Sequence, residues 1–249
     1  MAPRLSVVIA AYNEERVIGA TVQRVSEYLA SGDNELVVVD DGSRDRTAAL
    51  VQALLPRHPN VRLLKMDRNQ GKGAAIRAGV LATRGRYVLY TDADLVYPIE
   101  GVEPFIAALD AGADLAIGSR SHANTLFALH PRHFSYIYQR YLVGRAHIQV
   151  VSRLLGLRVT DTQCGFKCFR GDVARDVFAR LTLPDFAFDV EALYVSAALG
   201  YRRVELPVYF LYLGEQSSVE LMRDSVHMLR DLLRIRENGR TGRYGVRVR

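Results

Sequence analysis

At 249 residues, with 49% apolar and 24% charged side chains, the chain has an ordinary globular composition and suits one domain with an appended element better than two domains. A formal charge of +6 and a pI of about 9.4 favour anionic partners, whether diphosphates, acidic lipid headgroups or nucleic acid. The two cysteines, Cys164 and Cys168, lack a second Cys/His pair at zinc-like spacing, and no run approaches the roughly 18 to 20 apolar residues that span a bilayer. Reduced thiols and a start that runs from Met1 straight into a strand-like segment, without a leader pattern, predict a cytoplasmic protein whose membrane role, if any, is peripheral.

Along the first 120 residues, short β-branched runs alternate with helical patterns. Leu5 to Ala10, Glu35 to Asp40, Val61 to Met66, Tyr87 to Thr91 and Asp114 to Gly118 read as strands. Val17, Ile18, Thr21, Val22, Val25 and Leu29 recur at helical spacing between them, as do Ala75, Ile76, Gly79 and Val80, and both faces are assigned to the core. Such alternation predicts an α/β fold with parallel strands and crossover helices. From Arg120 to Arg158 the character changes: six arginines, four histidines, several aromatics and no Asp or Glu form a local basic patch. Then come a polar turn from Asp161 to Phe169, a helix from about Asp189 to Leu199, and a strand near Val204 to Tyr212. An amphipathic helix over about 218–236 precedes a Gly- and Arg-rich basic tail, 237–249, expected to be mobile.

In an open α/β sheet, ligands bind beyond the carboxyl ends of the strands, and those ends are polar here. They read Ala11-Tyr12-Asn13-Glu14-Glu15, Asp40-Asp41-Gly42-Ser43, Asp67-Arg68-Asn69-Gln70-Gly71-Lys72-Gly73 and Asp92-Ala93-Asp94. The first turn lacks the glycine-rich dinucleotide fingerprint, and no Walker sequence occurs, which argues against nicotinamide or flavin enzymes and P-loop NTPases. Two carboxylates one residue apart at a strand end suggest a divalent cation bridging them to a diphosphate; the alternative is that Asp92 and Asp94 merely cap a turn. For Asp41 and Ser43, capping the next helix stands beside ligand contact, and Gly71 has the alternative of only permitting a turn.

Those four motifs, in that order and spacing, resemble the successive motifs of family 2 glycosyltransferases. Gly118-Ser119-Arg120, Asp161-Thr162-Gln163-Cys164-Gly165-Phe166-Lys167 and Phe188-Asp189-Val190-Glu191 resemble more narrowly the dolichyl-phosphate glucosyltransferase and polyprenyl-phosphate glycosyltransferase branch. The resemblance covers about residues 5 to 235. It implies a GT-A fold with a mixed, mostly parallel sheet, Mg²⁺ or Mn²⁺, and inverting transfer of a hexose from a nucleotide sugar to a polyprenyl phosphate. UDP-glucose is favoured as donor, with a GDP-hexose as the alternative. The nucleotide-sugar half would occupy about 1–120 and the acceptor half about 121–217 of a single domain reaching 236.

Site roles follow from the same resemblance. Ala11, Tyr12 and Asp40 would hold base and ribose, backed by Glu14 and Asp41, and Lys72 would approach the donor phosphates or sugar. Asp94 is the metal candidate, with Asp92 at the sugar, the metal or both, and Ala93 on the donor side. Mannosyltransferase relatives often carry Gln two residues beyond the second Asp, where this chain has Val96, so the third ligand is unassigned. Arg120 would neutralise the acceptor phosphate or the departing diphosphate, since a guanidinium holds two phosphate oxygens at once. Arg132 and Arg140 are candidate helpers, and the motif of Asp161, Gln163 and Lys167 suggests a loop closing over the acceptor, with a structural turn as an equal alternative.

A lipid phosphate is already ionised at neutral pH, so attack on the anomeric carbon needs alignment more than proton removal. A sugar hydroxyl acceptor would need a general base; Asp189 and Glu191, two apart, lie on different helix faces, so at most one faces the cleft, and Asp189 is preferred, as that base or as a group positioning acceptor or donor. Residues 126–155 combine Phe127, Phe134, Tyr136, Tyr138, Tyr141 and Leu142 with basic residues, a composition suited to a helix lying on an anionic membrane. For the C-terminal helix, whose apolar face is read as Met222, Val226, Leu229 and Leu233, packing on the domain or on a partner chain is preferred over membrane docking. Two rivals remain: a transferase acting on a small or polysaccharide acceptor, and a non-catalytic basic adaptor. The adaptor leaves the ordered Asp and Gly motifs unexplained, so no nucleic-acid partner is assigned; the oligomeric state stays open.

Overall fold

The structure, a computed structural model, describes residues 3–212 and 221–247; the side chains of Arg140 and of residues 221–226 lie outside the described set. The predicted helper role of Arg140 and the Met222 and Val226 part of the C-terminal face therefore fall outside it. Strand β1 (Leu5–Ala11) is followed by α1 (Ile18–Leu29), β2 (Asn34–Asp40), α2 (Thr47–Leu54), β3 (Val61–Lys65), α3 (Lys72–Ala82) and β4 (Tyr87–Thr91). Then come α4 (Glu103–Asp110), β5 (Leu115–Ser119), β6 (Leu126–Leu129) and α5 (Phe134–Leu155). The chain continues through β7 (Lys167–Arg170), α6 (Gly171–Arg180), α7 (Phe188–Ala198), β8 (Arg203–Pro207), β9 (Tyr209–Tyr212) and α8 (Leu221–Thr241).

Seven strands form one sheet in the order β3-β2-β1-β4-β7-β5-β8, and β6 pairs with β9 in a separate ribbon. The strands of the large sheet run parallel except β7, which is antiparallel to both β4 and β5. Near-continuous apolar runs such as Val7-Val8-Ile9 and Val37-Val38-Val39 suit strands covered on both faces, and all six of those side chains are fully buried. One face packs α1 and α4 through Ile18, Val22, Val25, Phe105 and Ile106. The other packs α3, α6 and α7 through Ile76, Val80, Val177, Phe178 and Leu193. Because β7 runs the other way, its first residue, Lys167, pairs with Tyr90 near the carboxyl end of β4. That reversal brings the 161–167 turn to the edge where the parallel strands end.

Four expectations need correction. The run 204–212 is two strands in different sheets, separated at Val208, which is buried and ends the larger sheet's reach. Lys167 to Phe169 are strand, not turn, because the gap between β4 and β5 offers both of them a pairing partner. The C-terminal helix does pack on the domain, but through Met228, Leu232 and Ile235; Leu229 and Leu233 stay exposed at 47% and 50%. The basic tail is no loose appendage: α8 runs to Thr241 and Tyr244 is fully buried. Its hydroxyl donates to Glu191 at 2.8 Å, and Gly239 lets the helix lie against the Tyr194 ring, which any Cβ there would strike.

Candidate active site

The carboxyl ends of β1 and β2 are knit together by side chain to backbone bonds. Asn13 adopts a left-handed backbone (φ 56°), a conformation Asn tolerates; its N–H donates to Ser43 Oγ at 3.0 Å and its side-chain oxygen accepts from the Arg44 N–H at 2.9 Å. Glu14 donates its N–H to Thr47 Oγ1 at 2.8 Å. Ser43 thus ties two loops together rather than capping α2. Ala11 is buried, Tyr12 just beyond β1 is 39% exposed, and Asp40 is buried at the strand end, where Oδ1 accepts the Ser43 N–H. Asp41 is also buried, and its two oxygens accept the N–H groups of Gln70 (2.8 Å) and Gly71 (2.9 Å). It is the clamp that shapes the third loop, a role that neither ligand contact nor helix capping had described. Burial raises its carboxyl above the ordinary value even though those two N–H groups work to lower it.

The third loop presents Lys72 at the first turn of α3. Gly71 has φ 100°, and a Cβ there would collide with Asp185 Oδ1 and lie 2.6 Å from the Pro184 carbonyl, so glycine serves both the turn and the close contact. The Lys72 ammonium meets Asp92 Oδ1 at 2.5 Å, with both side chains about a quarter exposed. Burial acts to lower the Lys72 pKa, but Asp92, Asp189 and Asp94 around it outweigh that and raise it, so it remains a cation. The Asp92-Ala93-Asp94 turn is fastened by Thr21 Oγ1, which donates to the Ala93 carbonyl at 2.5 Å. Asp94 Oδ1 accepts the Val96 N–H at 3.3 Å, and Leu95 between them sits at φ 48°, a left-handed backbone that is strained for a branched residue.

Among the described residues, no cluster of three or more His, Cys, Asp and Glu side chains is arranged to hold a metal. Asp92 and Asp94 nevertheless fit a Mg²⁺ or Mn²⁺ ion of the shared kind. They are hard oxygen donors one residue apart and half-exposed, and such ions take one or two carboxylates and complete their shell with phosphate and water.

A single turn connects this centre to Arg120. Arg120 follows β5, and its Nε and Nη2 meet the two Asp161 oxygens at 2.7 and 2.9 Å; its N–H also donates to Asp161, at 3.1 Å. Burial works to raise the Asp161 carboxyl, but the guanidinium outweighs it and holds it below the usual carboxylate range. Gln163 donates its N–H to the same carboxylate, and its side chain is half-buried. Four residues beyond Asp161, Gly165 backs onto Asp92: a Cβ there would collide with Asp92 Oδ2.

The remaining predicted site residues are buried behind this centre or exposed away from it. Lys167 is fully buried, its ammonium on Asp189 Oδ1 at 2.5 Å and on the Cys164 carbonyl at 2.6 Å, so it faces no acceptor. Asp189 is 5% exposed and also accepts the Tyr90 hydroxyl at 2.6 Å. Glu191 is fully buried under N–H groups of Thr182 and Leu183 and the hydroxyls of Thr182 and Tyr244, a purely structural setting. Arg132 is exposed ahead of α5, with its Nε on His133 Nε2 at 2.9 Å. Tyr90 and Gly165 escaped the sequence reading: a tyrosine inside a strand reads as core, and the only signal for Gly165 was its place in Cys-Gly-Phe-Lys.

Residues 6–178 match glycosyl transferase family 2. The dolichyl-phosphate beta-glucosyltransferase of Dictyostelium discoideum is 34% identical over 246 residues, spanning 93% of this chain and 73% of that protein. That of Saccharomyces cerevisiae is 32% identical over 252 residues, spanning 93% and 74%. Among solved structures, glucosyl-3-phosphoglycerate synthase from Mycobacterium tuberculosis, in complex with Mn²⁺, UDP-glucose and phosphoglyceric acid, superposes with a TM-score of 0.63. At 20% identity, covering 99% of this chain and 81% of that one, the likeness shows the GT-A fold. With the ordered strand-end motifs and this sheet in place, the chain is a glycosyltransferase, and it belongs to glycosyl transferase family 2.

Proposed function

We propose that the protein transfers a hexose, glucose by preference, from a UDP-sugar to a polyprenyl or dolichyl phosphate at a membrane surface, with inversion. The observation that carries this reading is the 161–167 turn: Asp161 at its start holds Arg120, and Gly165 within it backs Asp92. A carboxylate suited to a donor-bound cation and a guanidinium suited to a phosphate thereby both rest on one segment. Full-length similarity to dolichyl-phosphate glucosyltransferases supports the choice of donor and acceptor.

In this reading Tyr12 stacks on the base and Asp40 reaches the ribose. Asp94 and Asp92 would hold Mg²⁺ or Mn²⁺, which supplies charge neutralisation to the diphosphate as it departs. Lys72, kept charged by the carboxylates around it, adds a second cation on the donor side. Arg120 receives the acceptor phosphate through the guanidinium N–H groups that it does not commit to Asp161, those of Nη1 and the second of Nη2. An acceptor phosphate oxygen attacks the anomeric carbon as the bond to the diphosphate oxygen breaks, and the nucleoside diphosphate leaves. No proton has to be removed. This suits a site in which Asp189 is tied to Lys167 and Tyr90, and Glu191 to four donors, so neither is set out as a base.

The surface beside Arg120 supports a lipid acceptor. Between β5 and the 161–167 turn lies the acid-free segment, where Leu126 and Phe134 are 65% and 63% exposed, and Tyr138, Tyr141 and Leu142 are exposed along α5. Apolar and aromatic side chains among arginines and histidines suit the interface of an anionic bilayer. No helix among the described residues is long and apolar enough to cross a membrane.

The test has two stages. Ligand that binds only the folded state raises the melting temperature, so UDP with Mn²⁺ should stabilise the protein more than UDP alone or GDP. Stabilisation by GDP in preference to UDP overturns the donor assignment. Transfer from UDP-glucose should then occur to detergent-solubilised polyprenyl phosphate; transfer only to water-soluble phosphorylated acceptors overturns the lipid.

A further inference from the structure

Behind the Lys72–Asp92 pair lies a second pair of the same kind that the reaction does not require. Lys167 and Asp189 are 0% and 8% exposed at the side chain. Burying two charges costs several kcal/mol per ion before their attraction returns anything, and neutral side chains of the same volume often serve stability as well or better. A role other than stability has to be found for this pair, and its contacts point to one.

We infer that Lys167 and Asp189 are positioning residues for the Asp92 carboxylate. Through its second hydrogen bond, the Lys167 ammonium holds the Cys164 carbonyl at 2.6 Å, and so holds the peptide that leads into Gly165. Gly165 is the surface against which Asp92 Oδ2 rests, with no room for a methyl group between them. With Oδ2 backed in this way, Oδ1 is turned to Lys72 at 2.5 Å. From the other side, Asp189 belongs to the first turn of α7, and the segment entering that helix packs on the Lys72 loop: a Cβ on Gly73 would meet Phe188 Cβ at 2.7 Å and the Asp185 carbonyl at 2.8 Å. The Tyr90 hydroxyl joins Asp189 to β4, the strand that Asp92 directly follows. The buried pair thus links the Gly165 turn, the carboxyl end of β4 and the support of the Lys72 loop, the three elements that set the geometry of Asp92.

This inference rests on the donor-side role given to Asp92, and it predicts a separation of orientation from binding. The test uses the double variant K167M/D189N, in which both charges go together, so that no lone charge is buried and the side-chain amide at position 189 can still accept from Tyr90. We expect it to fold, to keep its KM for the nucleotide sugar, and to lose roughly tenfold to a hundredfold in kcat, the loss that a misplacement near 1 Å produces. Gly165→Ala, which displaces Asp92 directly, should reproduce that loss with Lys167 and Asp189 intact. Combining it with the double variant should add little, because both act on one carboxylate.

Crystal structures supply the second readout: Asp92 and Lys72 should part beyond hydrogen-bonding distance in the folded double variant. A variant with native kcat overturns the inference, as does one that loses kcat with Asp92 and Lys72 still paired. If the wild type shows no transfer from any nucleotide sugar, the proposed function falls, while the Asp92 position in the variant structure still decides the positioning role.

Discussion

The strand ends of β1 to β4 and the acid-free segment between β5 and the 161–167 turn are built on opposite plans. In the first, almost every polar group is spoken for: Asn13 on Ser43 and Arg44, Asp41 on the Gln70 and Gly71 N–H groups, Thr21 on Ala93, Lys72 on Asp92. In the second, large apolar side chains such as Leu126, Phe134, Tyr138 and Leu142 face outward. A donor nucleotide presents one fixed pattern of charges, and a site preorganised for it holds its dipoles in place before the ligand arrives. A bilayer presents no fixed pattern, and an exposed amphipathic face is enough to meet it. Arg120, 37% exposed at the side chain and anchored on Asp161, stands at the boundary between the two.

The comparison is tested most severely in the preorganised half. Asp94→Ala should lower kcat by about 10²–10³-fold with the melting temperature of the free protein unchanged, since a half-exposed carboxylate contributes little to the core. Turnover that survives this change in the presence of Mn²⁺ breaks the metal role. At the boundary, Arg120→Lys keeps the charge but loses the two-point grip, and should reduce kcat/KM for the acceptor by roughly tenfold. The thermal shift produced by UDP and Mn²⁺ should stay as it is, and a reduced shift would move Arg120 to the donor side.

Out on the apolar face, Phe134 replaced by serine should weaken binding to anionic vesicles by about fivefold, one lost apolar side chain being worth on the order of 1 kcal/mol at an interface. Transfer to a water-soluble acceptor, where any occurs, should be spared, and unchanged vesicle binding would dissolve the contrast between the halves. The smallest effect concerns acid. The Asp161 carboxyl lies lower in the folded protein than its ordinary value of about 3.9, so its ion pair stabilises fully above that value and is lost as pH falls through the depressed one. The stability difference between wild type and Asp161→Asn should therefore be constant near neutrality and shrink below about pH 4. A difference independent of pH in chemical denaturation would show that the pair contributes nothing to folding.

The parallel strands and the positions of the first four motifs were legible because both depend on local patterns. β-branched runs at regular intervals place strands, and polar residues just beyond each run mark the ligand edge. The sequence alone therefore determined the fold class, the family and the strand-end residues from Tyr12 to Asp94, with Arg120 as a phosphate candidate.

The tertiary structure decided which side chains are buried and bonded to distant partners and which stay exposed at the strand ends. Only the reversed strand β7 shows that Lys167 points into the core toward Asp189, and that Gly165 stands against Asp92. Only the fold of the last helix shows Tyr244 bonded to Glu191 where composition suggested a loose tail. These partners lie 22 to 73 residues apart in the chain, as between Lys167 and Asp189 or Asp92 and Gly165, and a side chain's role as ligand or strut is set by what packs against it across that distance. Periodicity reports which face of an element is buried; it carries no information about which distant residue is waiting there.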